Sequence, residues 1–368
     1  MRSIIFLALF LASCSKGSPG VDCTACEETD VIEGAYMPEY VNLELPAWAP
    51  EPLEVEDNPL TRQGIALGRR LFFDPLLSSD GTVSCASCHD PAKSFTDGAA
   101  ISTGVEGRTG TRSAMALVNL AFHSNGFFWD GRSPDLESQV LIPITDTREM
   151  NTSPEQVMEK LRRHGDYPRL FREAFGIGRK SEMSFEQLSK AIAQFERSLT
   201  SFNSRFDRVV WLNEGWFTDA EERGRQLFFI EPFVQIDNHP GCSHCHLSPL
   251  FMDNAYRNNG LDSVGTLEQF SDPGLGGFNG RPFDRGKFKV TTLRNIALTA
   301  PYMHDGRFET LEEVLDNYAK GGHGVVNEDA NILPFRLDEQ QKADLIAFLH
   351  TLTDTSFVNN PAFQKPVP

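Results

Sequence analysis

Cys85-Ala86-Ser87-Cys88-His89 and Cys242-Ser243-His244-Cys245-His246 are the two stretches from which the rest of this chain is read. Each sets two thiols three residues apart and follows the second directly with an imidazole. A single turn of backbone then presents both sulfurs to one porphyrin edge while the adjoining side chain reaches the metal. The pattern reads as covalent attachment of a c-type haem, with Cys85, Cys88, Cys242 and Cys245 as thioether donors and His89 and His246 as iron ligands. The bland alternative is a redox dithiol or half of a zinc site with a histidine beside it by chance. With only seven cysteines and nine histidines in 368 residues, two such coincidences are not expected.

Around the two motifs the sequence repeats itself. Gly68-Arg69-Arg70-Leu71-Phe72-Phe73 precedes the first and Gly224-Arg225-Gln226-Leu227-Phe228-Phe229 the second, at nearly the same distance. Downstream, Val118-Asn119-Leu120-Ala121 is echoed by Arg294-Asn295-Ile296-Ala297, and Trp129-Asp130-Gly131-Arg132 by His304-Asp305-Gly306-Arg307. Three ordered echoes indicate that one haem-binding unit has been duplicated. Apolar residues recur at helical spacing over Thr61 to Phe73 and Thr218 to Phe229, each after a threonine suited to cap it. Pro154 to His164, Phe185 to Ser201 and Asp338 to Leu352 have the same character. Asp272 to Gly286 reads as loop, and no stretch alternates convincingly enough for a strand. The expected fold is all-α: two tandem cytochrome c-like domains, residues 57–205 and 206–368, with their haems facing a shared interface.

The amino-terminal end reads differently. Residues 1–14 carry Arg2, an apolar run from Ile4 to Ala12 too short to span a bilayer, and Leu11-Ala12-Ser13-Cys14, which has the form of a lipoprotein box. Lipidation at Cys14 would anchor an exported, periplasmic protein by acyl chains and not by a transmembrane helix. Residues 15–56 read as a tether and wrapping arm. Cys23 and Cys26 in it are followed by Glu27, not histidine, so they are not a third haem site; a short-loop disulfide is the preferred reading, with a redox or metal role as the alternative. After the arm, about 310 residues remain, enough for two domains of ordinary size. A formal charge of −17 argues against nucleic acid and anionic membrane surfaces, and for a basic docking partner such as a small electron carrier.

With these motifs in place, the chain from about Asn58 to Thr353 resembles the di-haem cytochrome c peroxidases and, within them, the MauG-type enzymes. The likeness rests on both haem motifs, Phe128-Trp129-Asp130-Gly131-Arg132, Gln139, Glu149-Met150, Lys289 to Asn295, and Pro301 to Arg307. It implies that hydrogen peroxide reacts at the amino-terminal haem while the carboxy-terminal haem relays electrons, with Trp129 between them. Glu149 matches the family's distal glutamate and Gln139 its distal amide. A carboxylate can take a proton from the near peroxide oxygen and deliver it to the leaving one, and an amide can orient the molecule. Taken singly, each has a plain structural reading, as a surface carboxylate, a helix-face amide and a core aromatic.

The same resemblance places the sixth ligand of the second iron on the helix after His304-Asp305-Gly306. Tyr318 stands where family members alternate between Met and Tyr; Met303, read as packing, His323 and an open site are the alternatives. Many members block the first iron with a histidine in the loop after the haem motif, but none lies between His89 and His123. An iron open at rest is therefore expected; His123 and His164 are read as surface or loop residues, with one of them reaching the iron as the alternative. A family calcium site maps to the carbonyls of Thr299 and Pro301, with Ser113 at its amide position. Three functions follow: a periplasmic peroxidase supplied by a small cytochrome or copper protein, a MauG-like oxidase acting on Trp or Tyr of a partner protein, and an electron-transfer cytochrome without catalysis. Family members are often homodimers.

Overall fold

A computed structural model describes residues 29–230 and 240–367. Cys14, Cys23 and Cys26, with the expected export signal and the first part of the expected tether, lie outside the described residues. In chain order the helices are α1 (Arg62–Phe72), α2 (Cys85–Cys88), α3 (Leu136–Thr145), α4 (Pro154–Arg163), α5 (Tyr167–Phe175), α6 (Phe185–Ser198) and α7 (Arg205–Val210). They continue as α8 (Asp219–Phe229), α9 (Gly274–Asn279), α10 (Leu311–Ala319), α11 (Glu339–His350) and α12 (Thr355–Val358). The two threonine caps are present: Thr61 accepts from the amide of Gly64 and Thr218 from that of Glu221.

Two expectations need correction. A small antiparallel ribbon pairs β1 (Tyr256–Arg257) with β2 (Phe288–Lys289). Strands of two residues leave no alternation for a sequence pattern to reveal. The stretch expected as loop, Asp272 to Gly286, contains α9 and a 3₁₀ turn over Pro282–Asp284. Its glycines hid the helix, because they lower helix propensity without forbidding it.

Two apolar cores organise the molecule. In the first, Leu67, Leu71 and Phe72 of α1 meet Leu188, Ala191, Ile192 and Phe195 of α6, all buried. The second joins Phe206, Leu227 and Phe228 to Phe251, Leu345 and Phe348. The chain's last turns cross back, so that Phe357 and Phe363 belong to the first core. The arm also serves both halves. Ile32 donates to the carbonyl of Gly178, while Leu43 and Leu45 pack beside Phe122, Phe202 and Met252.

The glycine that opens each copy of the repeat has a packing reason. A Cβ on Gly68 would stand 1.8 Å from the carbonyl oxygen of Ala191, and one on Gly224 would stand 1.9 Å from that of Asp344. Backbone meets backbone there, with no flexible side chain to yield, so α1 on α6 and α8 on α11 pack at a distance only glycine permits. The asparagines of the second echo are equally matched. Asn119 and Asn295 both adopt left-handed backbone, with φ of 58° and 62°. The Asn119 carboxamide accepts from the amide of Ser201 at 2.8 Å and that of Asn295 from Asp354 at 2.7 Å, each holding the chain just after a core helix.

Beside the second core lies a fully buried ion pair, in which Arg294 donates to both carboxylate oxygens of Asp207 at 2.7 and 2.8 Å. Gly68→Ala or Gly224→Ala is expected to force these helix pairs apart and cost about 1–3 kcal/mol or more. Chemical denaturation of each variant against the parent protein checks this, with a lowered midpoint expected for both.

Candidate functional site

Each of the two cysteine pairs faces its own cavity. In the first, one turn of α2 carries both thiols, and the His89 amide closes the turn onto the Cys85 carbonyl at 3.0 Å. The second motif repeats this, with the His246 amide on the Cys242 carbonyl at 3.1 Å. The imidazoles are oriented alike. Nδ1 of His89 donates to the Phe95 carbonyl at 2.8 Å and that of His246 to the Phe251 carbonyl at 3.1 Å. Phe95 and Phe251 both have positive φ, 62° and 55°, which turns their carbonyls toward the rings. With Nδ1 so engaged, Nε2 is the nitrogen left to bind a metal.

The donor set fits a haem better than a zinc ion or a redox dithiol. Burial pushes the Cys88 and Cys245 thiols up to about 11, and Cys85 and Cys242 also upward. The reactive thiols of a redox dithiol have the opposite tendency. Among the described residues no cluster of three His, Cys, Asp or Glu is arranged to hold a metal ion. Each cavity instead offers two neutral thiols, the imidazole of its own motif and a lining rich in apolar side chains.

Trp129, Gln139 and Glu149 all line the first cavity together with Cys85, Cys88 and His89. Gln139 comes from α3, whose first turn is capped by Asp135. Glu149 follows α3 in a tight turn, its amide donating to the Asp146 carbonyl at 3.0 Å and its carbonyl accepting from Val105 at 2.8 Å. Gly104 permits that approach, since a Cβ there would lie 2.1 Å from the Arg148 carbonyl oxygen. Burial raises the Glu149 carboxyl above the ordinary carboxylate range, aided by Asp146 and opposed by Arg132 and Arg148. A carboxyl poised in this way can both accept and return a proton.

Trp129 stands between the two cavities and lines both. Its indole Nε1 donates to the Ser113 carbonyl at 3.0 Å, and its own carbonyl accepts from the Lys289 amide at 2.9 Å. In the second half His304 holds the place of Trp129 in the repeat, and the two rings are 6.5 Å apart. Nearby, Arg112 bridges Asp130 of the first half and Asp272 of the second at 2.6 and 2.7 Å.

Tyr318, on α10, is in the second cavity with Cys242, Cys245 and His246. Met303 lines the same cavity. Asn259 Nδ2 faces both, 3.3 Å from the Tyr318 hydroxyl and 3.6 Å from the Met303 sulfur. Burial raises the Tyr318 phenol, so a phenolate there requires a cation in the cavity. His323 lines neither cavity and is exposed. Ser113, Thr299 and Pro301 all line the second cavity, and the Ser113 hydroxyl donates to the Met303 carbonyl at 2.9 Å.

His164 lies away from both cavities, its ring against Tyr167. His123 lies in a loop, as expected, but not at the surface. It is 5% exposed, stacks on Phe127 and lines both cavities. Its aromatic neighbours Phe122 and Phe127 were the available signal. Glu196 was missed altogether: it sits on α6, lines the first cavity, and burial pushes its carboxyl up to about 8. Helical spacing puts Glu196 one turn from Ile192, on the face that packs inward. Asn259 lies in a stretch without pattern and gave no signal.

Two tandem helical units, each presenting a Cys-x-x-Cys-His turn to a cavity and sharing a tryptophan between them, define a di-haem cytochrome of the peroxidase type. A family model described as "Di-haem cytochrome c peroxidase" matches residues 62–214. The methylamine utilization protein MauG of Methylorubrum extorquens is 37% identical over 297 residues, 80% of this chain and 79% of that protein. Cytochrome c551 peroxidase of Nitrosomonas europaea is 33% identical over 303 residues, 82% of each chain. Among solved structures, a MauG-like protein associated with microbial copper homeostasis superposes with a TM-score of 0.80 at 36% identity, covering 89% of this chain and 99% of that one. The diheme peroxidase BthA of Burkholderia thailandensis superposes at 0.68 with 26% identity, covering 84% and 91%. The chain belongs to the di-haem cytochrome c peroxidase and MauG family, and it is an oxidoreductase with peroxide as acceptor.

The direction of the Glu149 shift sets a pH dependence. Because its carboxyl is raised, the proton-accepting form appears as pH climbs through a value above 4.5, the ordinary position of the group. Peroxide consumption by the haem-loaded protein should rise along that limb. Glu149→Gln should abolish the limb and slow consumption by roughly two to four orders of magnitude while both haems stay bound. Stopped-flow rates of parent and variant across pH check both expectations.

Proposed function

We propose that this chain carries two covalently attached c-type haems, one in each cavity, and reduces hydrogen peroxide at the first with electrons relayed through the second. The observation that carries the proposal is the duplicated turn, with two neutral thiols and an imidazole whose Nδ1 is engaged and whose Nε2 is left for iron. The proposed units are residues 57–205 and 206–368, the first peroxidatic and the second electron-transferring. When bound, the haem supplies an iron that accepts electrons and breaks the peroxide O–O bond.

The protein's own part is to place and move protons. Gln139 orients peroxide by hydrogen bonding, and Glu149 takes the proton of the near oxygen and hands it to the departing one. Trp129, held by Ser113 and Lys289, keeps an indole between the two cavities. A small cytochrome or copper protein is the proposed electron donor, in keeping with the acidic chain. The chain's first residues support an exported, periplasmic protein lipidated at Cys14. No helix among the described residues is long and apolar enough to cross a membrane. A calcium ion held by the carbonyls of Thr299 and Pro301 near Ser113 completes the proposal.

A second reading, oxidation of Trp or Tyr on a partner protein, is favoured by one observation. Tyr318 is buried in the second cavity, its hydroxyl within reach of Asn259, and a phenolate ligand favours higher oxidation states of iron, whereas a thioether raises the potential for ordinary reduction. The likeness to a MauG-like protein supports it further.

Haem content tests the proposal. Alkaline pyridine spectra of the denatured chain should report two haems of c type, and Cys242→Ala with Cys245→Ala should leave one attached. Tyr318→Phe should keep both haems and alter the spectrum of one; an unaltered spectrum removes Tyr318 as ligand.

A further inference from the structure

Trp211 follows the last residue of α7 and is 38% exposed. Its ring lies flat on that of Trp48, with centroids 5.3 Å apart and planes 12° from parallel. Trp48 comes from the arm and meets Phe202 edge-on at 5.4 Å. Behind these rings is Arg294, which lines the second cavity; its Cζ is 6.0 Å from the Trp48 ring and 5.8 Å from that of Phe251. The Phe251 carbonyl is the group that orients His246. A continuous set of contacts thus runs from solvent to the imidazole of the second cavity.

We propose that Trp211 is a redox-active surface site, oxidised by one electron through Trp48 from the second cavity. This rests on the peroxide chemistry proposed above and goes beyond it by naming where oxidising equivalents reach the surface and through which residues. Indole is among the side chains most readily oxidised by one electron, and a parallel stack at this spacing gives two indoles close orbital contact. The charges along the route permit it. A lone guanidinium beside Trp48 would oppose positive charge on the ring, but Asp207 neutralises Arg294 through two short hydrogen bonds. Asp207 lies one helical turn before Trp211, whose amide donates to its carbonyl at 2.9 Å.

Proton chemistry then decides which indole keeps the oxidation. Trp48 Nε1 is buried without a hydrogen-bond partner, so it has no acceptor for its proton and can only pass the charge on. Trp211 borders water, which can take its indole proton. Two one-electron losses reduce one hydrogen peroxide, which takes up two electrons and two protons and leaves as two waters. Without a partner to return the electrons, Trp211 itself loses both, with two protons, and adds one water oxygen. The net change is one peroxide and one tryptophan giving one hydroxytryptophan and one water.

The test uses the haem-loaded chain with equimolar hydrogen peroxide and no reductant. Peroxide consumption and peptide mass spectra are followed together. Trp216, 87% exposed, is the internal control, since oxidation from bulk solvent would reach it ahead of Trp211. Trp211 is expected to be hydroxylated several-fold more than Trp216. Trp48→Phe, which keeps an aromatic ring in the stack, should lower Trp211 oxidation several-fold and leave that of Trp216 unchanged; Trp216→Phe should leave Trp211 unaffected. Peroxide consumed with Trp216 oxidised first, or with Trp211 oxidation indifferent to Trp48→Phe, overturns the relay alone. Failure of the loaded protein to consume peroxide overturns the relay together with the peroxidase reading.

Discussion

The structure depends on how one indole is gripped. Trp129 is fixed from the first half by the Ser113 carbonyl and from the second by the Lys289 amide, so it cannot shift unless the halves do. The Lys289 ammonium adds to the grip. It is buried, donates to the carbonyls of Ser124 and Gly126 at 2.9 Å each, and burial pulls its pKa down to about 8. Those carbonyls belong to the loop that leads into Trp129. A buried cation is costly unless such acceptors compensate it, and here they tie the second unit's ribbon to the first unit's tryptophan loop. Gly131 completes the fit, since a Cβ at its φ of 71° would lie 2.4 Å from the Tyr256 hydroxyl.

The duplication explains why the two cavities are alike and where they part. Both halves reuse the same close helix pairing at Gly68 and Gly224, the same asparagine hook at Asn119 and Asn295, and the same carbonyl behind the motif histidine. Phe128 and Met303, with φ of 67° and 74°, make the same turn before Trp129 and His304. The cavities themselves differ in what each receives. The first has Gln139 and Glu149, a pair suited to protons on a small oxygen molecule. The second has Tyr318, Met303 and Asn259, groups suited to setting the character of a metal. A shared frame with unlike contents suits two sites that divide a reaction between chemistry and electron supply.

Much of this was legible in the sequence because the informative features are local. The haem motifs, the threonine caps of α1 and α8, and the ordered echoes are short, and their spacing carries their meaning. Gln139 and Glu149 were identified by resemblance, and the structure places them beside the first motif. Other features depend on contacts between distant segments. The ribbon of Tyr256–Arg257 with Phe288–Lys289 is too short to announce itself. His123 is buried because loops from both halves close over it, and Phe357 and Phe363 join a core whose other members lie far earlier in the chain. Glu196 looked like one charged residue among several on an amphipathic helix; only packing of α6 beneath the cavity shows it to be inside.

The most direct test of two linked haem sites with peroxide at the first is one equivalent of hydrogen peroxide added to the fully ferric, haem-loaded protein. Visible and near-infrared spectra are followed in time. A prompt spectral change at both haems without prior reduction is predicted, because no histidine from the loop after the first motif is available to block the first site and Trp129 joins the cavities. No change until one haem has been reduced would contradict the account, pointing to a ligand on the first iron, with His123 the residue in place to supply it.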